Sequence, residues 1–296
     1  MLNTYFHLNL AITPAATNIN MQVPHSYIEE SVNNALQEDI GSGDVTAKLI
    51  PEDDFSLATV ITREPATICG IDWFEEVFAQ LDTQVFIEWD VDDGDVVEAG
   101  QQLCSLSGST RALLTGERAA LNFLQTLSST ATKAAEYAKA VSGTDVKVLD
   151  TRKTIPGLRL AQKYAVSCGG AFNHRVGLYD AILIKENHIL AAGGISEAVE
   201  AARFNSPDLM IEVEVENIDE LQQALEANVN RIMLDNFELD LLSKAVELTN
   251  KRAELEASGN VTLKTIRAIA ETGVDYISTG AITKDINAID LSMRFS

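Results

Sequence analysis

From Val146 to Gly280 the chain alternates short apolar runs with helix-like stretches, and this pattern constrains the fold more than any other feature. The runs are VKVLD, AILIKEN, LMIEVEVEN, RIMLDN, LEASGN and VDYISTG. Between most of them, at 195–204, 218–227, 238–253 and 263–272, apolar residues recur at helical spacing. Alternating strand and helix predicts a parallel sheet, and apolar strands predict burial on both faces. The runs end at Asp150, Lys185, Glu214, Asp235, Ser258 and Ser278, which are 35, 29, 21, 23 and 20 residues apart. That spacing suits successive βα units, and α/β barrels carry their functional groups at such carboxyl ends. A doubly wound sheet is the alternative, but no glycine fingerprint follows the first strand.

The preceding segment reads differently. Ile28, Val32, Ala35 and Leu36 predict a helix over 27–38, followed by the turn-rich Gly41-Ser-Gly-Asp44. Residues 57–110 read as short strands, with Asp93-Gly94 as a hairpin turn. One or two helices are expected over 111–141, with a domain boundary near 125–129, where hairpins give way to alternation. The expected division is a mobile extension at 1–24, with Met21 an alternative start, then one domain at 25–126 and a barrel at 127–296. The last residues are expected to pack back on the first domain.

Composition excludes several classes. The net charge is -22, from 22 Lys plus Arg against 44 Asp plus Glu. Such a balance argues against a general nucleic-acid binder and against charge-driven membrane attachment. No apolar run approaches the roughly 20 residues of a transmembrane helix. The first basic residue is Lys48, so neither a secretory signal nor a transit peptide is expected. Cys69, Cys104 and Cys168 form no metal motif and read as reduced, mostly buried thiols of a cytoplasmic protein.

Against this acidic background the window 150–190 carries a net charge of +3, leaving -25 for the rest. It holds Arg152, Lys153, Arg159, Lys163, Arg175 and Lys185, together with His174 and His188. Either these are solvated helix charges or they hold an anionic small molecule. Lys185 follows four apolar residues, a costly place for a cation without an anion. A structural ion pair with Glu214 or Asp235, or a Schiff-base lysine, would also explain it. Ser258-Gly259-Asn260 before a helix start, and Ser278-Thr279-Gly280 at the next strand end, offer amides and hydroxyls to a phosphate. In IEVEVEN at 211–217 the acids share one strand face. Inside a barrel that row needs cations, a metal or sugar hydroxyls; on an edge strand it would face water. Glu214 and Asp235 suit a Mg²⁺–phosphate complex, ribose hydroxyls or positive charge on a sugar carbon.

These motifs resemble the quinolinate phosphoribosyltransferase family. The resemblance rests on DTRKTIPGLR at 150–159, CGGAFNHR at 168–175, LIKENHI at 183–189, IEVEVEN at 211–217, MLDNF at 233–237, EASGN at 256–260 and YISTGA at 276–281. LTGERAALNFLQ at 114–125 resembles the segment joining the family's two domains, and the match covers roughly 27–295. Ile155, Ala171 and Glu186 depart from the family pattern beside the site residues.

The resemblance implies an N-terminal open α/β sandwich and an incomplete, seven-stranded α/β barrel. It also implies a homodimer in which Arg118 reaches across to the neighbour's site. The implied reaction joins quinolinate to 5-phosphoribosyl-1-pyrophosphate, with Mg²⁺, and releases pyrophosphate and CO₂. Arg118, Arg152, His174, Arg175 and Lys185 would hold the pyridine carboxylates, with Thr151 beside them. Lys153 and Lys185 would face pyrophosphate. Ser258, Gly259, Asn260, Ser278, Thr279 and Gly280 would take the 5-phosphate. Glu214 and Asp235 would meet the ribose or the Mg²⁺, and with Lys153 and Lys185 form the catalytic set. A relative acting on nicotinate, a Schiff-base lyase built on Lys185 and a carrier module remain alternatives. The carrier reading lacks a lysine at the Asp93-Gly94 turn.

Overall fold

The computed structural model describes residues 21–296; most of the expected N-terminal extension lies outside the described residues. Helix α1 (His25–Ile40) buries Ile28, Val32 and Leu36, the apolar stripe of the sequence. A four-stranded antiparallel sheet contains β1 (Phe55–Thr62), β3 (Phe86–Trp89) and β5 (Gln102–Ser109), completed by β12 (Leu291–Phe295) in the order β12-β1-β5-β3. The short β2 (Ala66–Thr67) and β4 (Val96–Val97) pair separately.

The Asp93-Gly94 turn is therefore not a hairpin, because the strands flanking it belong to different sheets. Its physical role is elsewhere: Asp93 Oδ1 accepts the N–H groups of Gly70 and Ile71, at 2.9 and 3.2 Å, and so satisfies the start of α2 (Ile71–Leu81). The strand-rich reading of this region passed over α2, whose Trp73, Phe74, Val77 and Phe78 are buried together.

Helix α3 (Thr110–Ala140) runs without interruption through the expected boundary, for 31 residues. Its Leu113, Leu121, Leu124 and Leu127 pack in the N-terminal core, while Ala134 and Tyr137 belong to the second core. Strand β12 then returns to pair antiparallel with β1. Helix α3 packs closely on α4 (Arg159–Cys168) at Gly169, where a Cβ would lie 2.2 Å from the Ala131 carbonyl oxygen.

The second unit is a parallel sheet with helices outside. Its strands are β6 (Lys147–Leu149), β7 (Ile182–Ile184), β8 (Ile211–Val215), β9 (Arg231–Asp235), β10 (Glu254–Ser258) and β11 (Tyr276–Ser278), in the order β6-β11-β10-β9-β8-β7. Six strands are hydrogen-bonded rather than seven; the remaining position is reduced to a single parallel bridge, Leu149 to Phe172. Helices α5 (Glu186–Ala192), α6 (Ile195–Asn205), α7 (Ile218–Glu226), α8 (Leu239–Thr249), α9 (Ile266–Ala270) and α10 (Ala281–Lys284) separate the strands. Val213, Val215, Ile232, Leu234, Leu255 and Ala257 alternate outward into the helix-packed core. Glu212, Glu214, Asp235 and Glu256 thereby point inward. Strand β8 lies between β7 and β9, so its acids do not face water on an edge.

Candidate active site

The loop after β6 is held from below. Asp150 is fully buried and accepts from Lys163 Nζ at 2.6 Å, His174 N at 2.8 Å and Asn173 Nδ2 at 2.8 Å. Lys163 Nζ also donates to the His174 carbonyl at 2.9 Å. Two buried charges are tolerable here because each is paired and further hydrogen-bonded. Arg159 braces the loop from its other side, reaching Thr154 Oγ1, the Arg152 carbonyl and the Val176 carbonyl. Buried Gln162 donates to the Thr283 carbonyl and accepts from Ile155 N, both at 2.8 Å. Lys163 and Arg159 belonged to the basic window, but neither is a free cation at the mouth.

On this platform Arg175 lies in the electrostatic field of Arg152, and its Nη1 donates to the Ala181 carbonyl at 3.2 Å. Burial lowers the Arg175 pKa, and the like charge of Arg152 lowers it further. Arg152 Nε is buried with no hydrogen-bond partner. Two guanidiniums in one field, one of them with an unsatisfied buried donor, suit an anion. Lys153, next in sequence, is exposed on the other side of the loop.

The opposite wall is acidic. Lys185 Nζ donates to Glu214 Oε2; the lysine is about half exposed, so the strand end carries it into the mouth rather than the core. Asp235 is raised by burial first and by Glu214 second, and lowered by Asn236, Lys185 and Lys153. Glu214, Asp235, Lys153 and Lys185 thus share one electrostatic neighbourhood. Asn236 links it to the next loop, donating to Asp235 Oδ2 at 2.8 Å and accepting from Asn260 Nδ2 at 3.2 Å. Gly259, at φ +100°, leaves room for that link: a Cβ there would meet Asn236 Oδ1 at 2.2 Å.

At the last strand end, Ser278 Oγ is buried without a partner and Thr279 is buried beside it. Thr151 Oγ1 accepts from Lys153 N at 3.1 Å, and a Cβ on Gly280 would touch Lys153 and Thr151. Thr151, Lys153 and the 278–280 loop are therefore in mutual contact. The helix expected from Val261-Thr262 begins only at Ile266 and has five residues, and α10 has four. Anion binding there falls to loop amides and hydroxyls more than to helix dipoles.

Two expected residues stand apart. His174 is buried, and both ring nitrogens are occupied: Nδ1 accepts from Arg175 N at 2.8 Å and Nε2 lies 2.9 Å from Glu212 Oε2. The ring is thus tied to Glu212 and to the backbone of Arg175. Arg118 is exposed on α3 and makes no hydrogen bond or ion pair with the mouth residues described.

Beneath the mouth lies a set the sequence reading did not name. Glu212 and Glu256 are buried beside His174, and Arg231 Nη1 is 3.6 Å from Glu256 Oε2. Only the alternation of acids along β8 hinted at it.

The residues at 44–128 match the family model of the quinolinate phosphoribosyl transferase N-terminal domain, and 130–294 match that of its C-terminal domain. The chain belongs to the quinolinate phosphoribosyltransferase family. A quinolinate phosphoribosyltransferase (decarboxylating), described as mitochondrial, from Nicotiana glauca is 41% identical over 288 residues, covering 90% of this chain and 82% of that protein. The solved nicotinate-nucleotide pyrophosphorylase of Francisella tularensis is 48% identical, with a TM-score of 0.92, and covers 95% of this chain and 100% of its own. That of Ehrlichia chaffeensis is 39% identical with a TM-score of 0.88, covering 93% and 100%. The family's two domain models meet within α3, the helix shared by both cores. Among the described residues no helix is long and apolar enough to cross a membrane.

Proposed function

We propose that the barrel mouth transfers phosphoribosyl from 5-phosphoribosyl-1-pyrophosphate to quinolinate, with loss of CO₂, giving nicotinate mononucleotide and pyrophosphate. The observation that carries this reading is the Arg152–Arg175 pair with its buried, unpartnered Nε. Two guanidiniums suit the adjacent carboxylates of a pyridine dicarboxylate better than the single carboxylate of nicotinate. Thr151 lines the same loop. Ser258, Gly259, Asn260, Ser278, Thr279 and Gly280 form the 5-phosphate cradle.

Lys153 and Lys185 face pyrophosphate, and Glu214 and Asp235 face the ribose. As the pyrophosphate bond lengthens, oxocarbenium character develops at the sugar carbon, and the two carboxylates favour that charge. The pyridine nitrogen attacks the opposite face. Its quaternisation lets the adjacent carboxylate leave as CO₂, the ring keeping the electron pair, which a proton then quenches. Positioning and electrostatics carry the rate, with no covalent enzyme intermediate.

Glu214 and Asp235 supply hard oxygen donors that suit Mg²⁺, but Lys185 already engages Glu214. The two carboxylates would hold the ion together with the pyrophosphate, and Mg²⁺ would neutralise that leaving group.

Arg118 completes the dicarboxylate site of a second copy. The exposed apolar Leu49, Phe55, Leu57 and Leu114 of the N-terminal unit supply a surface for that dimer. The free thiols suit a cytoplasmic setting. The deciding experiment is CO₂ release from carboxyl-labelled quinolinate; release that needs both phosphoribosyl pyrophosphate and Mg²⁺ supports the reading. No release from folded protein would overturn it. For the dimer, Arg118→Ala and Glu214→Ala proteins, each inactive, should regain activity on mixing; persistent inactivity would place Arg118 outside the site.

A further inference from the structure

Three buried carboxylate oxygens inside the barrel, Glu212 Oε1 and both oxygens of Glu256, have no hydrogen-bond partner. Left as two carboxylates they would repel each other in a space closed to water, which is among the costliest arrangements a protein can hold. The groups facing them are few. His174 Nε2 lies 2.9 Å from Glu212 and 3.6 Å from Glu256. Arg231, from β9, divides itself between Glu256 at 3.6 Å and the more exposed Glu254 at 3.0 Å, with its guanidinium 3.8 Å from the Tyr276 ring centre. Arg175 and Glu214 also act on Glu212 through their charges, in opposite senses; Ser278 of β11 supplies only a hydroxyl, and Lys163 is already neutralised by Asp150.

The tautomer of His174 follows from its other nitrogen. Because Arg175 N–H donates to Nδ1, that atom carries no proton, so the neutral ring carries its proton on Nε2 and donates to Glu212. Glu212 Oε2 is therefore the acceptor, and a Glu256 acid donating to Glu212 Oε1 accounts for two of the three orphan oxygens, leaving the second Glu256 oxygen to the neighbouring Ser278 hydroxyl. The His174, Glu212 and Glu256 ligand atoms all lie within 4.8 Å of one another, close enough for that exchange after small side-chain adjustments.

We propose that Glu256 is a positioning residue: as a neutral carboxylic acid it donates to Glu212, which holds the His174 ring in the Nε2–H form and so fixes the Arg175 backbone at the mouth. Glu212 then carries the charge and His174 is neutral: burial raises the Glu212 carboxyl, while Arg231, the hydrogen bond from Glu256 and Arg175 each lower it. Burial and the neighbouring Glu212 push the Glu256 carboxyl up to about 8, in agreement with an acid at neutral pH. Burial likewise lowers the His174 pKa, keeping the ring neutral. The same trio is also a conceivable set of metal ligands, but the adjacent guanidinium already supplies the cation.

The test compares Glu256→Gln, whose amide N–H replaces the acid O–H, with Glu256→Leu, which donates nothing. The chain has four histidines, so nitrogen-15 spectra of the labelled protein resolve the His174 tautomer. The Gln protein should keep the Nε2–H form and a quinolinate KM within about 2-fold of the parent. The Leu protein should lose the pure tautomer and raise that KM by about 10-fold, an effect typical of losing a group that orients a ligand-binding side chain. Its KM for phosphoribosyl pyrophosphate should not move, which separates positioning from a general structural defect. A Gln protein that loses the tautomer, or a Leu protein that keeps it, would overturn the proposal. If the Leu protein does not fold, the Gln spectrum decides alone. A stoichiometric divalent ion in the purified protein that Glu256→Gln removes would overturn it in favour of a metal site. The KM arm rests on the proposed reaction; the tautomer arm does not, so the two can fail separately.

Discussion

Along β8 and β10 the inward positions come in pairs two residues apart, Glu212 and Glu214, Glu256 and Ser258, and the two members of each pair live under different physics. At the mouth, Glu214 holds a half-exposed Lys185 and shares the field of Asp235 and Lys153, an arrangement that water and incoming anions can reorganise. One step deeper, Glu212 and Glu256 are sealed, and their charge has to be settled within the protein by Arg231 and a retained proton. Residues of one type thus meet water at one depth and only protein at the next. A rise of about 7 Å along a strand is enough to change the surroundings.

Breaking the deep platform should have the largest effect. Lys163→Met leaves Asp150 buried and unpaired and should cost about 3–5 kcal/mol of stability, read from denaturant midpoints. A loss below about 1 kcal/mol would mean that Asp150 is not held as a charge. At the mouth, Glu214→Ala should reduce kcat by about 10²–10³-fold while melting stays near the parent value. If melting falls instead and turnover survives, the two depths do not differ in kind. Arg175→Ala should remove about 2–3 kcal/mol of transition-state stabilisation, measured as kcat/KM for quinolinate. Unchanged kcat/KM would remove it from the anion site.

The subtlest test is a slope. Folded Glu256 keeps a proton to about pH 8 that the unfolded chain has lost well below neutrality, so unfolding releases it and stability falls as pH rises through this range. His174, lowered on folding, acts the other way, costing stability as pH drops below about 6.5. Glu212, raised by burial as well, adds to the same decline, so the Glu256 share is read by difference. Glu256→Gln should flatten the decline there and Glu214→Gln should leave it; equal slopes in both proteins would erase the distinction.

Much of the site was legible because strand ends announce themselves. Asp150, Lys185, Glu214, Asp235, Ser258 and Ser278 mark where apolar runs stop, and the barrel collects such ends on one face. Gln162 and Arg159 were not legible, since their partners lie across loops and helices whose approach no spacing encodes. The Asp93-Gly94 turn misled for a related reason: turn chemistry is local, whereas the choice of pairing strand is not. Helix α2 hid among β-prone residues because its Trp73, Phe74 and Phe78 favour strands unless a neighbouring helix face buries them.

By itself the sequence determined the alternation, the inward row of acids on β8 and the cationic stretch at 150–190. Periodicity and composition are properties of neighbours along the chain. Only the tertiary structure decided that Arg152 and Arg175 share one field, that both His174 nitrogens have partners, and that Glu256 lies beside Glu212. Those outcomes depend on which strands become neighbours and on how far water is excluded between them, and both are set when the sheet curls on itself and not before.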